Sequence, residues 1–132
     1  MSEQANVQVI KDIYAAFKRG DVQGILDRLT DDVEWILHLD PVVPWSGDYS
    51  GKARIPKFFE NIAKSVQVLS FEPVEYLAQG DVVVSIGTFG CRANATGKST
   101  QTRWVFIWRL KNGLVTSYEQ FHELKLADIF RS

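Results

Sequence analysis

Apolar positions follow two different periods along this chain, and the change between them divides it in two. Val7, Ile10, Tyr14 and Phe17 recur at spacings of three and four, which predicts a helix with one apolar stripe. Gly20 ends it, and Asp21 can cap the next helix by accepting from a free backbone N–H. Val22, Ile25, Leu26 and Leu29 form that second stripe. A third helix is predicted after Gly51; it tolerates Pro56 near its first turn and buries Ile55, Phe58, Phe59 and Ile62. From about Val66 the period falls to two, over 67–78, 82–93, 101–111 and 114–123, and a further strand lies near 33–39. The separators are Gln79-Gly80-Asp81, the polar stretch Asn94–Thr100, and Asn112-Gly113. Asn-Gly is the strongest of them, because it readily supplies the two positive φ angles of a type I′ hairpin turn.

Short separators make neighbouring strands antiparallel. The order α-α-β-α-β-β-β-β therefore predicts an α+β fold: a cone-shaped roll of strongly bent antiparallel sheet with three helices on its concave side. Strands this long twist and coil, and Gly87 and Gly90 are natural sites for a bend or bulge. A curved sheet roofed by helices leaves a hollow, so a small-molecule pocket is expected. The 132 residues contain no repeat, low-complexity tract or linker, and residues 1–132 are expected to form one domain.

Composition narrows the partners. With 45% hydrophobic residues, 23% charged, a net charge of −1 and a pI near 6.1, the chain carries no electrostatic footprint for nucleic acid or anionic lipid. The single cysteine, Cys91, permits no internal disulfide and suits a reducing compartment. No basic, then apolar, leader and no run of roughly 20 apolar residues occurs. The expectation is a cytoplasmic protein in which the sequon Asn94-Ala95-Thr96 is coincidental. Aromatic residues make up 12%, four of them Trp. They form either a core of large side chains or the wall of an apolar cavity.

Alternation places them. In 101–111, Trp104, Phe106 and Trp108 share one face, opposite Arg103, Val105, Ile107 and Arg109. Arginines seldom enter a core unpaired, so the Trp-Phe-Trp face is inward. In the last strand Tyr118, Gln120 and His122 share the inner face, while the outer Glu119 and Glu123 are expected to pair with arginines of the neighbouring strand. A polar-aromatic inner face suits a functional cavity better than a dry core. Between Leu39 and Gly51 a long loop carries Trp45 and Tyr49, which either close over the cone mouth as a lid or pack on the third helix outside it.

The chain resembles the nuclear transport factor 2-like superfamily, in its SnoaL-like polyketide cyclase and ketosteroid isomerase-like branch, from about Val7 to Asp128. The likeness rests on the helix–Gly20-Asp21–helix unit followed by Thr30-Asp31-Asp32-Val33-Glu34-Trp35. Gly51-Lys52-Ala53-Arg54-Ile55, then Phe58-Phe59, and the hairpin Arg109-Leu110-Lys111-Asn112-Gly113-Leu114-Val115 complete it. The resemblance implies a cofactor-free acid/base pocket, a hydrophobic ligand and a homodimer through the convex sheet face, where Val105, Ile107 and Phe121 would lie.

Ketosteroid isomerases use an aspartate base and an oxyanion hole of a tyrosine and a protonated aspartate. Tyr14 matches the tyrosine. Counted without gaps the base falls on Leu37, and a gap of about three residues brings Asp40 there. The oxyanion aspartate falls on Phe106, so that chemistry is not complete. SnoaL-like cyclases place an acid/base aspartate in the final strand, where this chain has His122, an imidazole able to take and return a proton near neutrality. The candidate catalytic groups are thus His122, Asp40 and Tyr14. Each has a structural alternative: a histidine bonded to a carbonyl, Asp-Pro turn chemistry, and a core tyrosine with a buried partner. Candidate ligand contacts are Trp35, His38, Trp45, Phe59, Trp104, Phe106, Trp108, Tyr118 and Gln120. The histidines are too few and dispersed for a metal site, and no cofactor is expected. Three functions remain open: a cofactor-free isomerase or cyclase acting on a hydrophobic carbonyl compound, a non-catalytic binding domain for an apolar metabolite, and a dimeric interaction module.

Overall fold

The computed structural model describes residues 2–132. Helix α1 (Glu3–Lys18) begins where the Ser2 side chain accepts from the Ala5 N–H at 3.0 Å, and it buries Ile10, Ile13, Tyr14 and Ala16. Gly20, at φ +72°, turns the chain, and Asp21 caps the five-residue α2 (Val22–Leu26) through the Gly24 N–H at 2.9 Å. Leu29 is not part of that helix. It opens β1 (Leu29–His38), because the Val115 N–H captures the Arg28 carbonyl at 2.8 Å and draws the chain into the sheet.

A 3₁₀ turn (Lys52–Arg54) leads into α3 (Ile55–Ser65). Four long strands follow: β2 (Val66–Gln79), β3 (Val82–Ala93), β4 (Ser99–Lys111) and β5 (Leu114–His122). Asn112 and Gly113 adopt φ +52° and +80°, as the hairpin reading requires. A second 3₁₀ segment, Leu124–Phe130, follows β5 and was not legible in the periodicity.

The sheet order is β1-β5-β4-β3-β2. Three pairings are antiparallel, but β1 runs parallel to β5, so the sheet is mixed rather than wholly antiparallel. The crossover from β1 through α3 and the three hairpins brings β1 alongside the last strand in the same direction, which local turn chemistry cannot reveal.

The bend arises on β2. Its register slips between Val68 and Ser70 and again between Pro73 and Glu75. These bulges lie opposite Gly90 and Gly87, so the glycines mark the bend while the extra residues sit on the partner strand. Gly87 is needed for a close approach: a Cβ there would come 2.3 Å from Trp104 Cζ2 and 2.4 Å from the Glu72 carbonyl oxygen. The Trp104 indole lies in the space this glycine leaves.

One core joins helices and sheet. Tyr14 is in edge contact with Phe71, Trp104 and Trp108, and Trp35 with Phe58 of α3. No helix among the described residues is long and apolar enough to cross a membrane. Because the Gly87 gap is filled by an indole and a carbonyl, Gly87→Ala is expected to cost about 1–3 kcal/mol through overpacking, measured by urea unfolding. An unchanged midpoint would show that the sheet relaxes freely at its bend.

Candidate functional site

Between the inner sheet face and the three helices lies a cavity of about 60 Å³. Its wall is almost wholly apolar, built from Ile13 and Phe17 of α1, Ile25 of α2, Phe58, Phe59 and Ile62 of α3, and rings from every strand. None of its lining side chains is Asp, Glu, Lys or Arg.

Nine of the residues singled out by sequence meet there: Tyr14, Trp35, Trp45, Phe59, Phe106, Trp108, Tyr118, Gln120 and His122. Trp104 faces the same side but stands behind the wall, stacked on Phe106 at 4.0 Å and on Phe71 at 5.1 Å. The gap at Gly87 lets its ring lie against β3 instead of entering the cavity. His38 is on the other face of the sheet. Parallel pairing sets it opposite the outward Phe121, on which its ring stacks at 4.3 Å, while Nε2 meets Glu119 Oε1 at 2.7 Å. The expected Glu119–arginine pair is therefore replaced by a Glu119–histidine pair. Likewise Glu123 accepts from the Arg103 backbone N–H at 3.1 Å and pairs with Lys125.

Asp40 does not join His122. Its carboxylate accepts from the Val42 N–H at 2.9 Å and from Arg131 Nη2 at 2.7 Å. The Val42 bond, with Arg131 adding to it, holds the carboxyl below its ordinary range. This is the local turn chemistry of Asp before Pro, reinforced by a tie to the 3₁₀ segment after β5. The loop between Leu39 and Gly51 divides its aromatics. Trp45 enters the cavity wall, edge-on to Phe89 and Phe130. Tyr49 packs outside on α3, where Asn61 Nδ2 donates to its hydroxyl at 2.8 Å.

The polar groups of the cavity fall into two kinds. Tyr14 is committed to the framework: its hydroxyl accepts from Trp108 Nε1 at 2.8 Å and hydrogen-bonds the buried Ser85 hydroxyl. Burial pushes its proton affinity well above the ordinary phenol value. Gln120 Nε2 donates to the Tyr118 hydroxyl at 2.6 Å, and Tyr118 is likewise raised by burial. The second kind is free. Trp35 Nε1 and Gln120 Oε1 are buried with no hydrogen-bond partner among the described residues. Among the described residues the His122 ring has one hydrogen bond, Nδ1 to Thr102 Oγ1 at 3.4 Å. Loss of hydration lowers its pKa from 6.5 to about 4, so the imidazole is neutral at pH 7.

Sequence reasoning missed Ser85 and Thr102, the partners of Tyr14 and His122. Both carried a signal. Ser85 has the inward parity of Val83 and Phe89, and Thr102 shares that of Trp104, Phe106 and Trp108. Among the described residues no three His, Cys, Asp or Glu side chains gather to hold a metal.

A family model for the SnoaL-like domain matches residues 10–118. The chain belongs to the SnoaL-like family. Its fold is that of the nuclear transport factor 2-like proteins. One from Burkholderia xenovorans LB400 is 33% identical, each chain covering 99% of the other, with a TM-score of 0.90. TerC, in a crystal structure with polyporic acid, is 26% identical over 97% of this chain and 99% of its own, with a TM-score of 0.83. A Catenulispora acidiphila protein with a ketosteroid isomerase-like fold, in complex with trimethylamine, is 13% identical over 89% and 86% of the chains at a TM-score of 0.75, a likeness of fold alone. No curated protein matches this SnoaL-like chain.

His122 sets a pH dependence. The folded state resists protonating it and the unfolded state does not, so stability is complete above about pH 6.5 and is lost as pH falls toward 4. Linkage puts the ceiling of that loss at about 3 kcal/mol. Urea unfolding between pH 4 and 7 should be flatter in His122→Phe than in the parent. Parallel curves would mean the imidazole is solvated in the folded state.

Proposed function

We propose that this SnoaL-like protein binds a neutral, hydrophobic small molecule in the inner cavity and that His122 exchanges a proton with it. One observation carries the reading: a neutral imidazole shares a charge-free aromatic wall with two buried groups that have no hydrogen-bond partner among the described residues, Trp35 Nε1 and Gln120 Oε1. A wall without charge compensates no carboxylate or phosphate, so the ligand is uncharged. The unpartnered indole N–H suits a carbonyl oxygen. The relative crystallised with polyporic acid supports an organic ligand.

On a carbonyl compound the chemistry runs as follows. His122 takes the proton from the carbon beside the carbonyl, the electron pair moves onto oxygen as an enolate, and the Trp35 N–H stabilises that oxygen. Return of the proton to a conjugated carbon completes an isomerisation, while return to the same carbon gives hydrogen exchange. A base with a pKa near 4 is weak but fully unprotonated at pH 7, and isomerases with a base of similar strength succeed by pairing it with an oxyanion hole. Asp40 lies outside the cavity and takes no part, while Tyr14 acts by holding Trp108 and Ser85 in place.

A second reading, binding without turnover, is favoured by the same commitments: with Tyr14 and Tyr118 engaged in framework bonds, His122 has no partner acid. Acetophenone and benzoate separate these ideas. Acetophenone should raise Tm and benzoate should not; stabilisation by benzoate would overturn the neutral-ligand reading. In D₂O, the protein should speed deuterium uptake at the acetophenone methyl, seen by NMR. His122→Ala should cut that rate on the order of a hundredfold. Stabilisation without faster exchange leaves the binding domain.

We also propose a homodimer through the outer sheet face, where Ile86, Val105 and Phe121 align across β3, β4 and β5, next to Val84 and Ile107. These side chains are only partly covered, and Phe121 is 37% exposed. Light scattering at micromolar concentration should give twice the 15.0 kDa chain mass, and Val105→Arg should halve it. A monomeric parent would refute the dimer.

A further inference from the structure

The inner cavity, at about 60 Å³, is far below the roughly 300–1,000 Å³ of ordinary small-molecule sites. Beside it, between the α1–α2 turn, α3 and β2, runs an open groove of about 700 Å³. The two share five wall residues: Phe17, Ile25, Phe59, Ile62 and Phe71. Phe17 and Phe59 are only partly buried, and their rings stand 5.9 Å apart, with Phe17 also 5.1 Å from Phe71. The partition between groove and cavity is thus a thin layer of rings.

The groove's far wall is built by a departure from regular structure. Neighbouring strand residues normally point to opposite faces. The slip in β2 leaves Leu69 outside the ladder, and both Val68 and Leu69 stand exposed, at 40% and 57%, along the groove. A bulge has brought two consecutive apolar side chains to one surface. Its charged groups, Lys18, Asp21, Glu60 and Glu72, are of both signs, and Lys18 pairs with Glu72 at 3.5 Å.

We infer that the ligand is elongated: a compact carbonyl head occupies the inner cavity, and an apolar tail parts the touching rings of Phe17 and Phe59 to lie in the groove against Leu69 and Ala63. This rests on the reading of the inner cavity as a ligand site. It assigns the groove to the same molecule, because five residues serve both compartments and because the groove offers apolar surface whose carboxylates are each already paired with a basic side chain: Glu72 with Lys18, Asp21 with Arg19 and Glu60 with Lys64. Substrates of this protein are therefore ketones bearing a linear or branched hydrocarbon chain, not compact polycycles. Val68, Leu69 and Ala63 determine chain length, while Trp35, Gln120 and His122 read the head.

The n-alkyl phenyl ketones from acetophenone to octanophenone test this by titration calorimetry. In the parent, affinity should rise about threefold to fourfold per added methylene. Ala63→Trp fills the groove from an exposed helix position, and Leu69→Glu makes its wall polar; both should bind acetophenone like the parent but lose most of the gain from a longer chain. If octanophenone keeps its full advantage in both variants, the tail lies elsewhere and the inference is overturned. The same follows if affinity in the parent does not rise with length. If no ketone binds at all, the inner-cavity reading itself fails, and this inference with it.

Discussion

Tyr14 fastens the helical layer to the sheet. Its ring touches Phe71, Trp104 and Trp108, and its hydroxyl connects the Trp108 indole on β4 to Ser85 on β3. Two strands and α1 therefore meet at one buried oxygen. Leaving any of these polar atoms without a partner in so apolar a setting costs about 1–3 kcal/mol, so the three groups fix each other's positions. The cavity exists because this tie holds α1 at a set height above the sheet while the rings around it are too large and rigid to collapse into the remaining space.

That bond also explains why the cavity's chemistry is sparse. A phenol that hydrogen-bonds both an indole and a serine is occupied by the scaffold, and the same holds for Tyr118 with Gln120. What stays available is what the framework does not use: the Trp35 N–H, one end of the Gln120 amide and the His122 ring. Their spacing is held by neighbouring strands, since Trp35 pairs with Tyr118 and Gln120 with Phe106. A site built on strands keeps its geometry better than one carried by a loop.

Much of the fold was legible because it is written in local patterns. The change of period at Val66, the Asn112-Gly113 turn and the parity of Trp104, Phe106, Trp108, Tyr118, Gln120 and His122 need only near neighbours to be read. Parity, however, says which side a residue takes and not how far it reaches: Trp104 faces inward yet stands behind Phe106 because of a glycine on another strand. His38 and Asp40 were misplaced only in part for a longer-range reason. The face His38 presents depends on its pairing with β5, and Asp40 answers to Arg131, far away in the chain. A local signal existed in both cases, since His38 has the opposite parity to the inward Trp35 and Asp before Pro favours the turn that the Val42 bond completes; only the partners Glu119 and Arg131 leave no trace in the surrounding residues.

The parallel pairing of β1 with β5 has a kinetic side. Thr30 and Val115, joined by a hydrogen bond, are 85 positions apart. The hairpins β2–β3, β3–β4 and β4–β5 can form from contacts between sequence neighbours, but β1 must wait until β5 is in place to receive it, at the entropic expense of closing a long loop. Trp35 reaches its place beside Tyr118 only in that step. The wall that carries the Trp35 indole is thus assembled only after β5 is in place. A chain in which β5 is not yet formed therefore has most of its aromatic surface but lacks the Trp35–Tyr118 contact.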